Sequence, residues 1–138
     1  MGSKEVKYYQ RCAKTCRNHS SSLRSNRTKA IEKKEKLEKA KSKITSKLSQ
    51  VSSQKSTLSN LNNVDTGDFA GDRQTKYQGK MSTALQKLST YKTKEDNNVT
   101  TINNKIAELE SNITNLTSQI SSWDQQALMY DRMAASSM

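Results

Sequence analysis

Apolar residues along the second half of this chain recur in an unbroken heptad. Val99, Ile102, Ile106, Leu109, Ile113, Leu116, Ile120, Trp123, Ala127 and Tyr130 follow one another at alternating steps of three and four. A helix with that spacing carries one narrow sticky stripe, which must be buried against another helix. The first half carries the same period: Val6, Tyr9, Ala13, Cys16, Ser20, Leu23, Arg27, Ala30, Lys34, Leu37, Lys41, Ile44, Leu48, Val51, Lys55 and Leu58. Arg27, Lys34, Lys41 and Lys55 interrupt it. Ala, Leu, Lys and Glu dominate Lys29 to Lys47, which favours helix by intrinsic propensity.

Between the two stripes lies Asn62-Asn63-Val64-Asp65-Thr66-Gly67-Asp68-Phe69-Ala70-Gly71-Asp72. Its Asp, Asn and Gly predict a turn followed by a helix start, capped by Asp68 or Asp72. The fold expected is therefore all-α: one domain over residues 1–138, a long antiparallel two-helix hairpin of coiled-coil type. Helix 1 covers about 5–61, the turn 62–72, helix 2 about 73–133, and a short flexible tail 134–138. Gly79 falls inside helix 2 and costs it about 1 kcal/mol relative to Ala.

Folding at the turn places residue i near residue 133 − i. In that register Lys34 and Lys41 face the stretch around Lys92 to Val99, where Glu95 and Asp96 offer opposite charge. Such a polar layer fixes register at some cost in stability. Tyr8 and Tyr9 fall opposite Trp123 to Gln126, so aromatic rings close the open end of the hairpin.

Composition fits a thin seam better than a thick core. Only 31% of the 138 residues are hydrophobic, Pro is absent, and mean hydropathy is −0.98. The net charge of +11 is lopsided: residues 1–70 hold 16 Lys/Arg against 6 Asp/Glu, and residues 71–138 hold 8 against 7. A basic first helix suits an acidic partner, nucleic acid or an anionic surface. No apolar run approaches the ~18 residues of a membrane span. The first ten residues lack the apolar centre of a secretory signal, so synthesis in the cytoplasm is expected, with any exit by a route that cleaves no signal peptide.

Cys12, Cys16 and His19 share one helix face. A structural zinc site wants four ligands in closed geometry, and a disulfide between adjacent turns of one helix is strained. No metal or cofactor is therefore expected. Cys16 reads as a small seam residue and His19 as solvent-facing. Catalysis is not expected either, because a two-helix seam offers no water-poor pocket with convergent groups.

Phe69-Ala70-Gly71 at the bend, the early Tyr8-Tyr9 pair and the opening Asp72-Arg73-Gln74-Thr75-Lys76-Tyr77 of helix 2 carry a resemblance. The chain resembles the Trp-Xaa-Gly (WXG) superfamily of small helical hairpins that accompany type VII secretion in Gram-positive bacteria. More narrowly, it is similar to the small helical proteins associated with LXG-domain toxins. In such a turn an aromatic ring caps the seam and Gly allows the bend. The usual Trp is Phe69 here. The family's Tyr-x3-Asp/Glu export signal is matched at Tyr130-Asp131-Arg132-Met133-Ala134 only up to Ala at the acidic position, so the resemblance implies a partner that supplies the signal. It also implies a cytoplasmic protein before export, reaching the exterior or cell surface by type VII secretion.

The function expected is that of a non-catalytic adaptor or targeting chaperone. Its implied partner is the helical leader domain of a secreted LXG-type toxin, with a second small helical protein as a further partner. The seam residues Leu37, Ile44, Leu48, Val51 and Leu58 and those of the second stripe carry hairpin and partner contacts, and exposed Leu128, Met129 and Met133 extend the bundle. Two alternatives stand beside it. The basic first helix suits phosphate contacts, which lose affinity steeply with salt, but no recognisable reading module is present and its Lys residues mix with Glu32, Glu35 and Glu38. A purely structural, self-associating coiled coil satisfies the periodicity equally.

Overall fold

A computed structural model describes residues 2–62 and 71–138. Two α-helices make up nearly all of them: α1, Gly2–Asn62, and α2, Asp72–Ser136. The fold class is the all-α hairpin that the two heptads predict. With no Pro in the chain, nothing removes a backbone donor from either ladder.

The helix ends refine the expected boundaries. The segment taken as a tail is helical through Ser136, and Ala134 is buried. Ala134 is the next seam position after Tyr130, and Ala is the strongest helix former, so burial and propensity agree. Ser137 then closes the last turn, its N–H donating to the Met133 carbonyl at 3.1 Å and its hydroxyl to the same oxygen at 2.9 Å. At the other helix start, Gly71 has φ +87°, a conformation that side chains with a Cβ rarely adopt. Its carbonyl accepts the Thr75 N–H at 3.2 Å, the first helical bond of α2. Gly71 thus takes the half-in position, and Asp72 is the first residue inside the helix rather than its cap. Asp68 and the motif aromatic Phe69 lie outside the described residues.

The chain divides into two compact units. The first joins Met1–Lys36 with Lys105–Met138. Its two helical segments run antiparallel: Arg17 meets Asp131, Arg24 meets Asp124, and Lys34 meets Glu110. All the buried residues described fall here: Ala13, Cys16, Ser20, Ala30, Leu109, Ile120, Ala127 and Ala134. Most are small, which lets two helix backbones approach closely. The approach is close at Gly2, where an added Cβ would strike the Ser137 carbonyl oxygen.

These pairs correct the expected register. Under 133 − i, Lys34 would face Val99; it pairs instead with Glu110 at 3.3 Å, about three turns further along α2. The 133 − i register takes the middle of the Asn62–Asp72 stretch as the pivot and so assumes equal overhang on both sides. The α2 helix, extended to Ser136, is the longer, and its end seats against Gly2. The proposed layer of Lys34 and Lys41 against Glu95 and Asp96 is therefore not formed around Lys34. Glu95 accepts from Asn98 on its own helix at 3.4 Å, and Asp96 is exposed.

The second unit is Leu37–Asn104. Its stripe residues Leu37, Ile44, Leu48, Val51 and Leu58 are half-buried, as are Met81, Leu85, Leu88, Val99 and Ile102. Among its described residues none is buried as deeply as Ala13 or Ile120. The stripe also includes Lys41, Lys55, Lys92 and Glu95, all half-buried. Intermediate burial of such long side chains suits apolar stems against the seam with the charged ends in water.

Candidate partner-binding surface

The unit that joins Met1–Lys36 with Lys105–Met138 has two unlike flanks beside its seam. One is ionic. Arg17 donates to the Asp131 carboxylate, Arg24 to Asp124 at 2.6 Å, and the Ser20 hydroxyl to the other Asp124 oxygen at 2.5 Å. Further along, Arg27 donates to the Thr117 hydroxyl at 3.3 Å. These bonds favour the charged forms. Asp124 is held below its ordinary range, first by the Ser20 hydrogen bond and then, against some desolvation, by Arg24. The Arg17 guanidinium is pushed up by its hydrogen bond and charge pairing with Asp131.

The opposite flank is aromatic and uncharged at its centre. Tyr9 stacks on Tyr130 with ring centroids 6.3 Å apart, and Tyr8 meets Tyr9 edge-on at 5.5 Å. His19 stacks on Trp123 at 4.4 Å, where solvent exposure alone was expected. Tyr8, Arg11, Cys12, Thr15, Cys16, Trp123, Gln126 and Tyr130 line an open hollow of about 350 Å³. The Tyr8 phenol is raised above its ordinary range, first by its side-chain hydrogen bond with Cys12. The expected aromatic cluster at the open end is thus present, but Tyr130 and His19 are its direct ring partners.

Large apolar side chains continue outward on this unit. Tyr8 is 54% exposed, Leu128 54%, Met129 43% and Met133 38%. Met129 and Met133, one turn apart, lie on the same side of α2 as Gln126. Flexible, polarisable Met suits a surface that must fit another protein. The unit Leu37–Asn104 has its own opening, about 630 Å³, lined by Ser53, Gln54, Thr57, Leu58, Ala84, Lys87 and Leu88.

Of the residues expected to carry contacts, Ile106, Leu109, Ile113, Leu116, Ile120, Trp123 and Tyr130 lie along the first unit's seam, all half-buried or buried. Leu37, Ile44, Leu48, Val51, Leu58, Val99 and Ile102 lie in the second. The ionic flank was not anticipated, although a signal for it exists. Arg17 and Arg24 are one heptad apart, as are Asp124 and Asp131, so each pair holds a single flanking position of its helix.

Among the described residues, no group of three or more His, Cys, Asp and Glu side chains is placed to hold a metal ion. No described helix is long and apolar enough to cross a membrane.

The sequence model of a protein family described as YwqH-like matches residues 13–131, which takes in most of both helices. No curated protein is significantly similar to the chain.

Proposed function

The chain belongs to the YwqH-like family, and on that footing we propose that it is a non-catalytic adaptor, a targeting chaperone that docks along the helical leader domain of an LXG-type toxin and supports its export by type VII secretion. One observation carries the reading: the hairpin leaves large apolar side chains uncovered beside its seam, with Tyr8, Met129 and Met133 together on one flank of one unit and Leu128 on the Asp124 side. A helix with the matching stripe would cover them and turn two helices into a bundle. The half-buried stripe of the unit Leu37–Asn104 is a second stretch that a partner helix would cover.

Co-expression of this chain with the helical leader segment of an LXG-type toxin is the test. A single complex on a sizing column at micromolar concentrations supports the adaptor role. Two separate peaks overturn it.

A further inference from the structure

The proposed role leaves open which face binds and what chemistry it selects. We propose that the flank lined by Tyr8, Cys12, Trp123 and Gln126 receives an acidic amphipathic helix, which seats an apolar or aromatic side chain in the 350 Å³ hollow. This rests on the adaptor reading and adds the face and the class of partner.

Three observations point there. The hollow is open at the surface, and three aromatic side chains, Tyr8, Trp123 and Tyr130, line it with Cys12 and Cys16. A cavity of about 150 Å³ already takes a benzene ring, so this one admits a Phe or Trp side chain from a partner. Next, the hollow's one charged wall residue is Arg11, which also belongs to a cationic stretch with Lys4, Lys7 and Lys14. Within Gly2–Lys14 the single acid is Glu5. Finally, the nearest acids of α2, Asp124 and Asp131, are committed to Arg24 and Arg17 on the other flank. Glu5 lies on the same flank one turn before Tyr8, so the charge offered to a partner is that of Arg11 at the wall. A helix that sets Glu or Asp over Arg11 beside its apolar knob gains an opposite charge there, which steers encounter and disfavours basic partners. A second copy of this chain is a poor occupant, because each brings a net charge of +11.

Trp123, the only Trp, forms part of the wall and reports occupancy by its fluorescence. The probe is a synthetic helix of about 20 residues, roughly 30 Å long, with Leu and Phe along one face and Glu on both sides, compared with a twin carrying Lys for Glu. The full chain should bind the Glu peptide with a blue shift of Trp123 emission and the Lys twin at least about tenfold more weakly. Arg11→Glu should weaken the Glu peptide by about tenfold, whereas Lys43→Glu, the same charge change on the exposed surface of the other unit, should not. Thr15→Phe, which fills the hollow, should abolish the shift while circular dichroism stays helical.

Equal weakening by Arg11→Glu and Lys43→Glu would overturn the proposal, as would binding without a Trp123 response. Concentration-dependent dimers abolished by Thr15→Phe would overturn it in favour of a second copy. If the toxin leader still co-elutes with the Thr15→Phe protein, the adaptor role holds and the assigned face is wrong. If the peptide binds as described but the leader does not co-elute, the face holds and the adaptor role fails.

Discussion

One heptad pattern produces two kinds of packing. In the unit joining Met1–Lys36 with Lys105–Met138, the stripe holds Ala13, Cys16, Ser20, Ala30, Ala127 and Ala134, and those side chains are buried. In the unit Leu37–Asn104 the stripe holds more large aliphatics, yet all are partly exposed, as are most of those in the first unit apart from Leu109 and Ile120. Hydrophobicity alone therefore does not set burial here. Small side chains let helices close up, and the ion pairs of Arg17, Arg24 and Lys34 tie them across one flank. The other stripe carries Lys41, Lys55, Lys92 and Glu95, against Arg27 and Lys34 in the first.

The sharpest way to break that contrast is truncation in both units. Ile120 is 3% exposed, so Ile120→Ala should cost about 2–4 kcal/mol, the transfer loss plus a cavity. Leu58→Ala, at a partly exposed position on the wall of the larger hollow, should cost less, about 1–2 kcal/mol, because part of its surface already faces water. Urea unfolding followed by circular dichroism measures both. Equal losses would mean that the second unit is packed as tightly as the first.

Overpacking asks the same question from the other side. Ala13, 1% exposed, has no room for a larger side chain, so Ala13→Leu should destabilise by about 1–3 kcal/mol. Ala84→Leu, on the wall of the larger hollow, should be tolerated within about 0.5 kcal/mol. A large loss at Ala84 would remove the distinction between a closed and an open seam.

Much of this was legible in the sequence, and the reason differs by element. Both stripes were readable because the heptad is a repeated local signal, and the stripe positions singled out in each helix are indeed the less exposed ones. Register was not readable, because it depends on where the pairing pivots and on how far α2 extends, and neither leaves a periodic trace. The Lys34 partner was misplaced for that reason. Unequal burial was hidden too. Ala and Ser score poorly as core residues by hydropathy, although in a two-helix seam they are what allows contact. At the candidate surface, Leu128, Met129 and Met133 could be named from the sequence as apolar residues off the stripe. The hollow could not, because Tyr8, Cys12, Trp123 and Gln126 converge only once the true register is fixed.

A gain is expected where the second unit wastes helix propensity. Gly79 lies inside α2, is exposed, and a Cβ added there meets nothing within 4 Å. Gly79→Ala should stabilise the helix by about 0.5–1 kcal/mol. Amide exchange should show it most clearly around Lys76 to Ser82, since a gain at an exposed helical position is local. A loss of stability would mean that the segment needs the freedom of glycine.

The smallest effect expected is electrostatic and belongs to the first unit. Asp124 is held low there, by the Ser20 hydroxyl and then Arg24. Its native-state value lies below the ordinary 3.8, so its unfolded form binds a proton first as acid is added. The stabilisation is present above the ordinary value and drains away as pH falls through the lower native one. Exposure and screening keep it modest. Trp123, one residue away and stacked on His19, should report a loosened flank by a red shift on titration from pH 5 towards pH 2. Asp124→Asn should remove most of that acid response while leaving the wild-type helix content at neutral pH. If the two titrations superimpose, the ionic flank does not hold this end of the hairpin closed, and small-residue packing alone accounts for the difference between the units.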